Sequence, residues 1–502
     1  MRISRSHCVT ALLAGLLWIT FVYVRYDHLS WNVSSRLSLT FALVERGTFC
    51  IDDYWQRPEL NTQDVASAGG HYYSDKIFGV SLLAVPVFAL VHLVEKLRGV
   101  EFSTFVRHWL VCAFSVSLLA AGAGAVFHRL ARRYLIELGH IPPRADALAA
   151  LATFCVFCGT MLVTYAGMLM PYLPGIFFLL LALWRIEARD ERETSLSPRQ
   201  INKLRVGGIG LLLGAAVLCD YLAGVPAVAL LIYLTWRERS WQAGVIAALC
   251  AALPLIPFAL YCLILFGQLS VPYRFEVLDM FRDSMARGIM GATVPSLTVM
   301  WLITFHPYRG LFFHSPHLLG GPFGWVKGWS LGPCWHSRQI VFASIFVVLL
   351  VYNSAYFMWW GGWGFSPRHL AFTVPFLGLS MLVLWQRMRS IVLFTVLGLW
   401  GVFVHVIVYL VSSEFPDRPQ GAPLVSLLEP DLSRYDYPWI FGRYIFRLFQ
   451  MGEMPWNIGV AMGFRGPASV LPLALLWGIG ALVIVMLCRS SAPPQSTAAR
   501  EQ

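Results

Sequence analysis

At 502 residues, 57% of them hydrophobic and only 13% charged, the chain lies far outside the composition of a soluble globular domain. Lysine and arginine exceed aspartate and glutamate by 38 to 27, a net charge of +11 that on its own would suit nucleic acid. Much of that excess sits in short loops between apolar runs, so it reads as membrane topology facing anionic lipid, and no nucleic-acid partner is expected.

The N-terminal segment carries Arg2 and Arg5 and leads into an apolar run over about 8–24, expected to cross the membrane from the cytoplasmic side. No small-residue cleavage site ends that run before Arg25, so it is expected to remain as a span. A polar island follows from about Arg25 to Lys76 and crowds Asp52, Asp53, Asp64, Asp75 and Lys76 together. Further spans are expected at about 106–127, 146–166, 169–184, 205–221, 223–236, 242–266, 310–325, 340–358, 369–385, 391–411 and 468–487. None of these runs shows the period-two alternation of barrel strands. Arginines at 129, 132, 133 and 144, from 185 to 205, at 237 and 239, and at 387 and 389 assign the loops that carry them to the cytoplasm.

Crossings counted against these loops leave one apolar segment over, Ile77 to Leu93, which is expected to be re-entrant or interfacial. The stretches 25–107, 268–309, 359–368 and 412–467 then gather on the outer face. The sequence thus predicts an all-α polytopic membrane protein of about 12 transmembrane helices, range 10–13. The segment Tyr273 to Met290 spaces Phe275, Leu278, Phe281 and Met285 by three and four and predicts a helix lying flat at the interface. The tail after Cys488 is polar and expected to be disordered.

Most of the ten cysteines lie inside apolar spans and read as small packing residues; Cys50 and Cys334 lie outside, with nothing in the sequence to pair them. The pair His314 and His317 has metal-like spacing, but Pro316 interrupts a helix there and no third ligand is evident, so no metal site is expected. Trp359, Trp360 and Trp363 read as an interfacial aromatic belt before a sugar platform. A transporter would bury charges in mid-span and show matching halves; the chain shows no internal repeat, and Asp220 is its clearest carboxylate at the end of an apolar run. Carboxylates and cations gathered in loops at a membrane surface suit an enzyme whose substrate has a polar reacting group on a greasy anchor.

The run NVSSRLSLTFALVERGTFCIDDYW, followed by HYYSDKIFGVSLLAVP, resembles the first outer loop of the polyprenyl-phosphate-dependent GT-C glycosyltransferases. The bacterial family 39-like enzymes are the nearest in kind, related to protein O-mannosyltransferases and to the lipid A aminoarabinose transferase. LITFHPYRGLFFHSPHLL, MWWGGWGFSPRHLAFTVPFLG and AVLCDYLAGVP resemble later stretches of the same group, so the likeness runs from Asn32 to about Leu377. It implies a GT-C-like catalytic region over 1–411 with juxtamembrane helices in the first outer loop (25–105), an outer loop and last span over 412–488, and a cytoplasmic tail over 489–502. It further implies transfer with inversion from a polyprenyl-phosphate sugar to a hydroxyl on a glycan, lipid or protein, at the extracytoplasmic face of a bacterial inner membrane.

Residue by residue, Asp75-Lys76 matches the family's acid-lysine pair, whose lysine is implicated in binding phosphate. Asp52 matches an acidic position of the bacterial relatives, with Asp53 inseparable from it by sequence. Displacement at an anomeric carbon needs a carboxylate to take the acceptor proton, worth about 10²–10⁴-fold. The catalytic candidates are therefore Asp52, Asp53 and Asp75. Lys76, Arg309 and Arg368 are candidates for the donor phosphate, as a point charge and as two bidentate forks. His71, Tyr72, Tyr73 and Asp64 are substrate-binding candidates; Asp64 is also kept as a base or metal residue, because family members differ in needing a divalent ion such as magnesium or manganese. The chain departs from the family where relatives carry an acidic pair before an arginine, reading Asn32-Val33-Ser34-Ser35-Arg36, and it lacks the proline usual after the lysine. The missing pair keeps open a non-catalytic protein of the same fold, or a translocator of lipid-linked sugars.

Overall fold

The computed structural model describes residues 5–188, 202–412, 414–415 and 424–489. The polar tail, Arg2 and much of the loop between Arg185 and Arg205 lie outside them. Every predicted span falls on helix. In chain order these are α1 (Arg5–Phe21), α2 (Trp31–Glu45), α3 (Gly79–Arg98), α4 (Thr104–Phe114), α5 (Val116–Glu137), α6 (Pro142–Cys158), α7 (Leu162–Ala166), α8 (Tyr172–Glu187), α9 (Lys203–Cys219) and α10 (Gly224–Glu238). They continue as α11 (Trp241–Ala252), α12 (Ile256–Phe266), α13 (Asp279–Met285), α14 (Leu297–Thr304), α15 (Leu311–His314), α16 (Gly320–Trp329), α17 (Pro333–Ala355), α18 (Val374–Met381) and α19 (Met388–Val411). After short helices in the segment 424–461, the last is α20 (Leu471–Arg489). Among the described residues a single hairpin, β1 (Val65–Ala68) with β2 (His71–Ser74), interrupts the helices.

Among the described residues, seven helical stretches are long and apolar enough to cross a membrane. Their outward faces leave large apolar side chains exposed, such as Leu249 on α11, Val396 on α19 and Ile479 on α20. Water would penalise such a surface and hydrocarbon does not. The predicted span at 310–325 is divided, because Pro316 ends α15 and a 3₁₀ turn (Pro316–Leu319) leads into α16.

The two ends of the bundle differ. At one end, Arg338 at the start of α17 bonds Glu187 at the end of α8 through Nη2 at 2.7 Å and Nε at 3.0 Å, and reaches Glu137 at the end of α5. Tyr233 and Arg237, near the end of α10, close on the same Glu187 at 2.7 and 3.3 Å. Arg132 and Ser6 share Asp146 nearby, so the arginine-rich loops converge here.

At the other end, Tyr409 of α19 donates to the carbonyl of Thr20 near the end of α1, and Trp109 of α4 donates to that of Val22. α3 has both its ends here. Its first residue, Gly79, packs on the carbonyl of Leu218 near the end of α9, and its buried Glu95 pairs with Arg107 in the first turn of α4 at 2.8 Å. Although α3 has the length and apolarity of a span, it runs beside α2 without passing to the arginine-rich end.

The segment Tyr273 to Met290 departs from its predicted continuous helix. A 3₁₀ turn (Pro272–Phe275) gives way to extended backbone at Glu276, whose ψ of 141° suits a bridge to Ala66. Val277 then donates to the carbonyl of Val65 at 3.0 Å, and helix resumes only at α13. The segment has joined the edge of the hairpin, which competes with the helix for the same backbone groups. Trp359 and Trp360 also depart from the aromatic-belt reading. Both are buried in protein, Trp359 donating to the carbonyl of Leu427, and only Trp363 is exposed.

Candidate active site

The hairpin creates the centre of the site. Gly69 and Gly70, both at positive φ, form its two-residue turn, and the register pairs Val65 with Ser74. The next residues outward, Asp64 and Asp75, therefore face one another, with Lys76 following. Lys76 Nζ lies 2.8 Å from Asp64 Oδ2 and 2.5 Å from Asp75 Oδ2, and 4.8 Å from the centre of the Tyr273 ring. Asp75 is fully enclosed, with Ser35 of α2 donating to its Oδ1 at 3.3 Å, whereas the Asp64 side chain keeps 13% exposure.

A third carboxyl completes the cluster. Glu276 is buried against Asp75, and its Oε2 has no hydrogen-bond partner. Burial pushes Glu276 far above the carboxylate range and the charge of Asp75 pushes it further, against the pull of Lys76. Asp75 is raised too, burial first, so the buried Asp75–Glu276 pair holds a shared proton that ordinary carboxyls would lose. Burial alone would lower Lys76, but Asp64, Asp75 and Glu276 outweigh it and keep the ammonium charged.

Two arginines stand around this cluster. Arg36 of α2 is buried, bonded through Nη1 to Asn32, and its Nε has no partner. Arg368 opens the 3₁₀ turn Arg368–Thr373, its Nε also lacking a partner. Gly361, at positive φ, lies so close that a Cβ there would meet Arg368 Cγ at 2.9 Å. The charges of Arg36, Arg368 and Lys76 all act on Asp220, which follows α9 and whose Oδ1 accepts from the Leu222 N–H at 2.7 Å. Asp64 in turn acts on Arg368, and Tyr165, Tyr172, Tyr273 and Tyr356 complete the surroundings. Arg309 is wholly buried and acts on Tyr165, donating from Nη2 to the Gly362 carbonyl at 2.9 Å; its Nε and Nη1 have no partner. A buried N–H without an acceptor costs about 1–3 kcal/mol. Several such groups close together make a receptor for an anion's oxygens.

The structure thus brings Asp64, Asp75, Lys76 and Arg368 together, with Arg309 held at Gly362, next to the Gly361 that packs on Arg368. Asp52 and Asp53 turn elsewhere. Asp52 Oδ2 lies 2.7 Å from His71 Nδ1, its Oδ1 accepts from the Tyr72 N–H at 2.7 Å, and Asp53 pairs with Arg46 at 3.0 Å. No ion pair or hydrogen bond among the described residues joins either acid to Lys76. Burial raises Asp52, but its bonds with His71, Cys50 and Tyr72 win and hold it below the usual range. Tyr72 packs on Trp55, ring centres 4.7 Å apart, and lines a cavity of about 350 Å³ with Ser67, Arg274, Glu276 and Arg282. Tyr73 is buried edge-on to Phe266. Glu276 and Arg36 were not legible as site residues: Glu276 lies about 200 positions beyond Lys76 in sequence, and Arg36 marked the position of a missing acidic pair. The Gly-Gly between two alternating runs was the available signal for the hairpin that gathers the rest.

No family model matches the chain, and no curated protein matches it. Three solved structures resemble it in overall chain course. ArnT from Cupriavidus metallidurans, bound to undecaprenyl phosphate, aligns at a TM-score of 0.46 and 13% identity, over 96% of this chain and 76% of that one. The Archaeoglobus fulgidus oligosaccharyltransferase in its apo form aligns at 0.41 and 10%, over 86% of this chain and 60% of that one. AglB from Archaeoglobus fulgidus, in complex with an inhibitory peptide and a dolichol-phosphate, aligns at 0.37 and 10%, over 96% of this chain and 56% of that one.

Proposed function

We propose that the chain is a GT-C-type glycosyltransferase that moves a sugar from a polyprenyl-phosphate donor to a hydroxyl acceptor on the outer face of a membrane. The observation that carries the reading is the convergence of Lys76, Arg36 and Arg368, the two arginines with unpartnered buried N–H groups, on carboxylates at one end of an apolar bundle. The arginine-rich loops gather at the opposite end, which supports an outward-facing site.

The donor phosphodiester binds through its oxygens to Arg36, Arg368 and Lys76. Its arrival at Lys76 displaces Asp64, the partly exposed partner, while the enclosed Asp75 stays to hold the ammonium in position. Asp64, so released, takes the proton of the acceptor hydroxyl as its oxygen attacks the anomeric carbon. The bond from that carbon to the phosphate oxygen breaks, and the polyprenyl phosphate leaves with the electron pair, stabilised by the three cations. A single displacement inverts the anomeric centre. Asp64, which the sequence kept as a base candidate behind Asp52, Asp53 and Asp75, thereby takes that role.

The test is transfer of radiolabelled sugar from a panel of polyprenyl-phosphate donors by purified protein, compared with Asp64→Asn and Lys76→Ala that elute as folded monodisperse protein. Labelled product lost in both variants supports the reading. Donor binding by the parent protein without turnover would replace it with a non-catalytic binder or translocator of lipid-linked sugars, and full transfer by Asp64→Asn would remove Asp64 as the base.

A further inference from the structure

Cys50, Asp52 and His71 sit away from the lysine cluster: His71 opens β2 at the turn end of the same hairpin, and Cys50 and Asp52 lie alongside that strand. Cys50 Sγ lies 3.8 Å from His71 Nδ1, and Asp52 Oδ2 lies 2.7 Å from that same nitrogen. A nucleophile-base-orienter relay needs its two partners on opposite nitrogens of the imidazole. Here both meet one nitrogen, so the three side chains converge on a point in space, and one ligand atom from each lies within 4.8 Å of the others. Convergence of that kind is the geometry of metal ligation.

We propose that Cys50, Asp52 and His71 form a binding site for a thiophilic divalent cation of the zinc class. Zinc with ligand bonds of about 2.0–2.3 Å in a tetrahedron holds its donor atoms roughly 3.3–3.6 Å apart. The sulfur already stands near that separation from the ring nitrogen, and the shorter Asp52–His71 contact opens when the shared proton departs. Binding releases the Cys50 thiol proton to solvent and moves the His71 proton from Nδ1 to Nε2, leaving thiolate, carboxylate and neutral imidazole around the ion.

The backbone holds these ligands in register. Ile51 N–H donates to the Tyr72 carbonyl at 2.8 Å, and Cys50 bridges Tyr73. The Tyr72 N–H occupies Asp52 Oδ1 and so aims Oδ2 at the ion, as outer partners of metal ligands do. A thiolate with an imidazole selects zinc over magnesium or manganese, which prefer oxygen. His71 and Asp52 are open to solvent, giving an entry path, and three protein ligands leave a fourth position for water. The ion would clasp the hairpin five residues before Lys76.

The experiment uses tag-free full-length protein in detergent, equilibrated with zinc sulfate, passed through a desalting column and assayed for metal by plasma emission. A parallel sample loaded with cobalt(II) is read for a thiolate-to-cobalt charge-transfer band. About one zinc per chain is expected, together with that band. Cys50→Ser should abolish the band, and both Cys50→Ser and His71→Phe should weaken zinc binding at least about tenfold. Cys334→Ser, which removes an exposed thiol elsewhere, should leave both signals intact. Absence of retained zinc in the parent protein, or a band that survives Cys50→Ser, overturns the site. Should Cys50→Ser fail to fold, His71→Phe decides by its zinc content alone.

Discussion

Gly79 meets the carbonyl of Leu218 so closely that a Cβ on Gly79 would stand 2.1 Å from the oxygen. That contact joins the first turn of α3 to the last turn of α9, and so holds Lys76, just before one helix, near Asp220, just after the other. Gly79→Ala forces the two helices apart. It is expected to lower the thermal midpoint by several degrees and to reduce any activity of the site with it. Gly224→Ala, at a helical position with nothing within 4 Å of the added carbon, should be neutral or stabilise by up to about 1 kcal/mol. Thermal unfolding of the two purified variants checks both.

Glu276 supplies a pH dependence. Its ordinary value of 4.5 is pushed up to about 10, by burial first and Asp75 second. Between those values the folded chain holds a proton that the unfolded chain has lost, so the stabilisation it contributes is complete below about 4.5 and fades as pH rises towards about 10. Glu276→Gln keeps the hydrogen-bonding shape without the proton to lose. The parent protein should show a thermal midpoint that falls between about pH 5 and about pH 9, and the variant a flatter profile. Equal slopes would mean that Glu276 is ionised in the folded protein.

At the opposite end, Arg338 is the main cation on the enclosed carboxylate of Glu187. Arg338→Leu removes it and is expected to cost about 3–5 kcal/mol, because a buried charge is left under-compensated. Combining it with Glu187→Gln should recover much of the loss. Unfolding free energies for the single and double variants test the coupling, and strict additivity would refute it.

Under the proposed function, Arg368 bears on the donor. Arg368→Ala removes charge-assisted hydrogen bonds worth about 1.5–3 kcal/mol, so donor affinity should fall roughly 10- to 100-fold. Arg368→Lys should rescue it only in part, since an ammonium cannot reproduce the fork. Titration of each variant with polyprenyl phosphate reads the effect directly; unchanged affinity in Arg368→Ala would exclude this arginine from the donor site.

The spans were legible because each is written in a contiguous apolar run, from that at α1 to that at α20, whereas α2, with its serines and Arg36, falls inside the polar island. Even the break at Pro316 could be read, since proline acts locally. The lysine cluster was half legible. Asp75 and Lys76 are neighbours in sequence, and Asp64 joins them through a hairpin whose Gly69-Gly70 turn is a local signal. Glu276 was beyond reach: it enters by pairing with Ala66, and the spacing of Phe275, Leu278, Phe281 and Met285 around it argued for a helix that the hairpin edge overrode. Asp52 illustrates the converse, a residue whose motif was visible while its partner, His71, was fixed only by cross-strand register.

α3 begins three residues after Lys76, keeps both ends on one side of the bundle, and turns Leu90, Leu93 and Leu97 outward. A helix so held stays on one side of the bundle, and for the proposed lipid-anchored donor its oily face would be a shoreline reached by diffusion in two dimensions. Capture is then governed by the donor's mole fraction in the bilayer and not by its amount per volume of suspension. Diluting the membrane with inert lipid, at constant protein and constant donor, would slow the reaction as surely as withdrawing substrate.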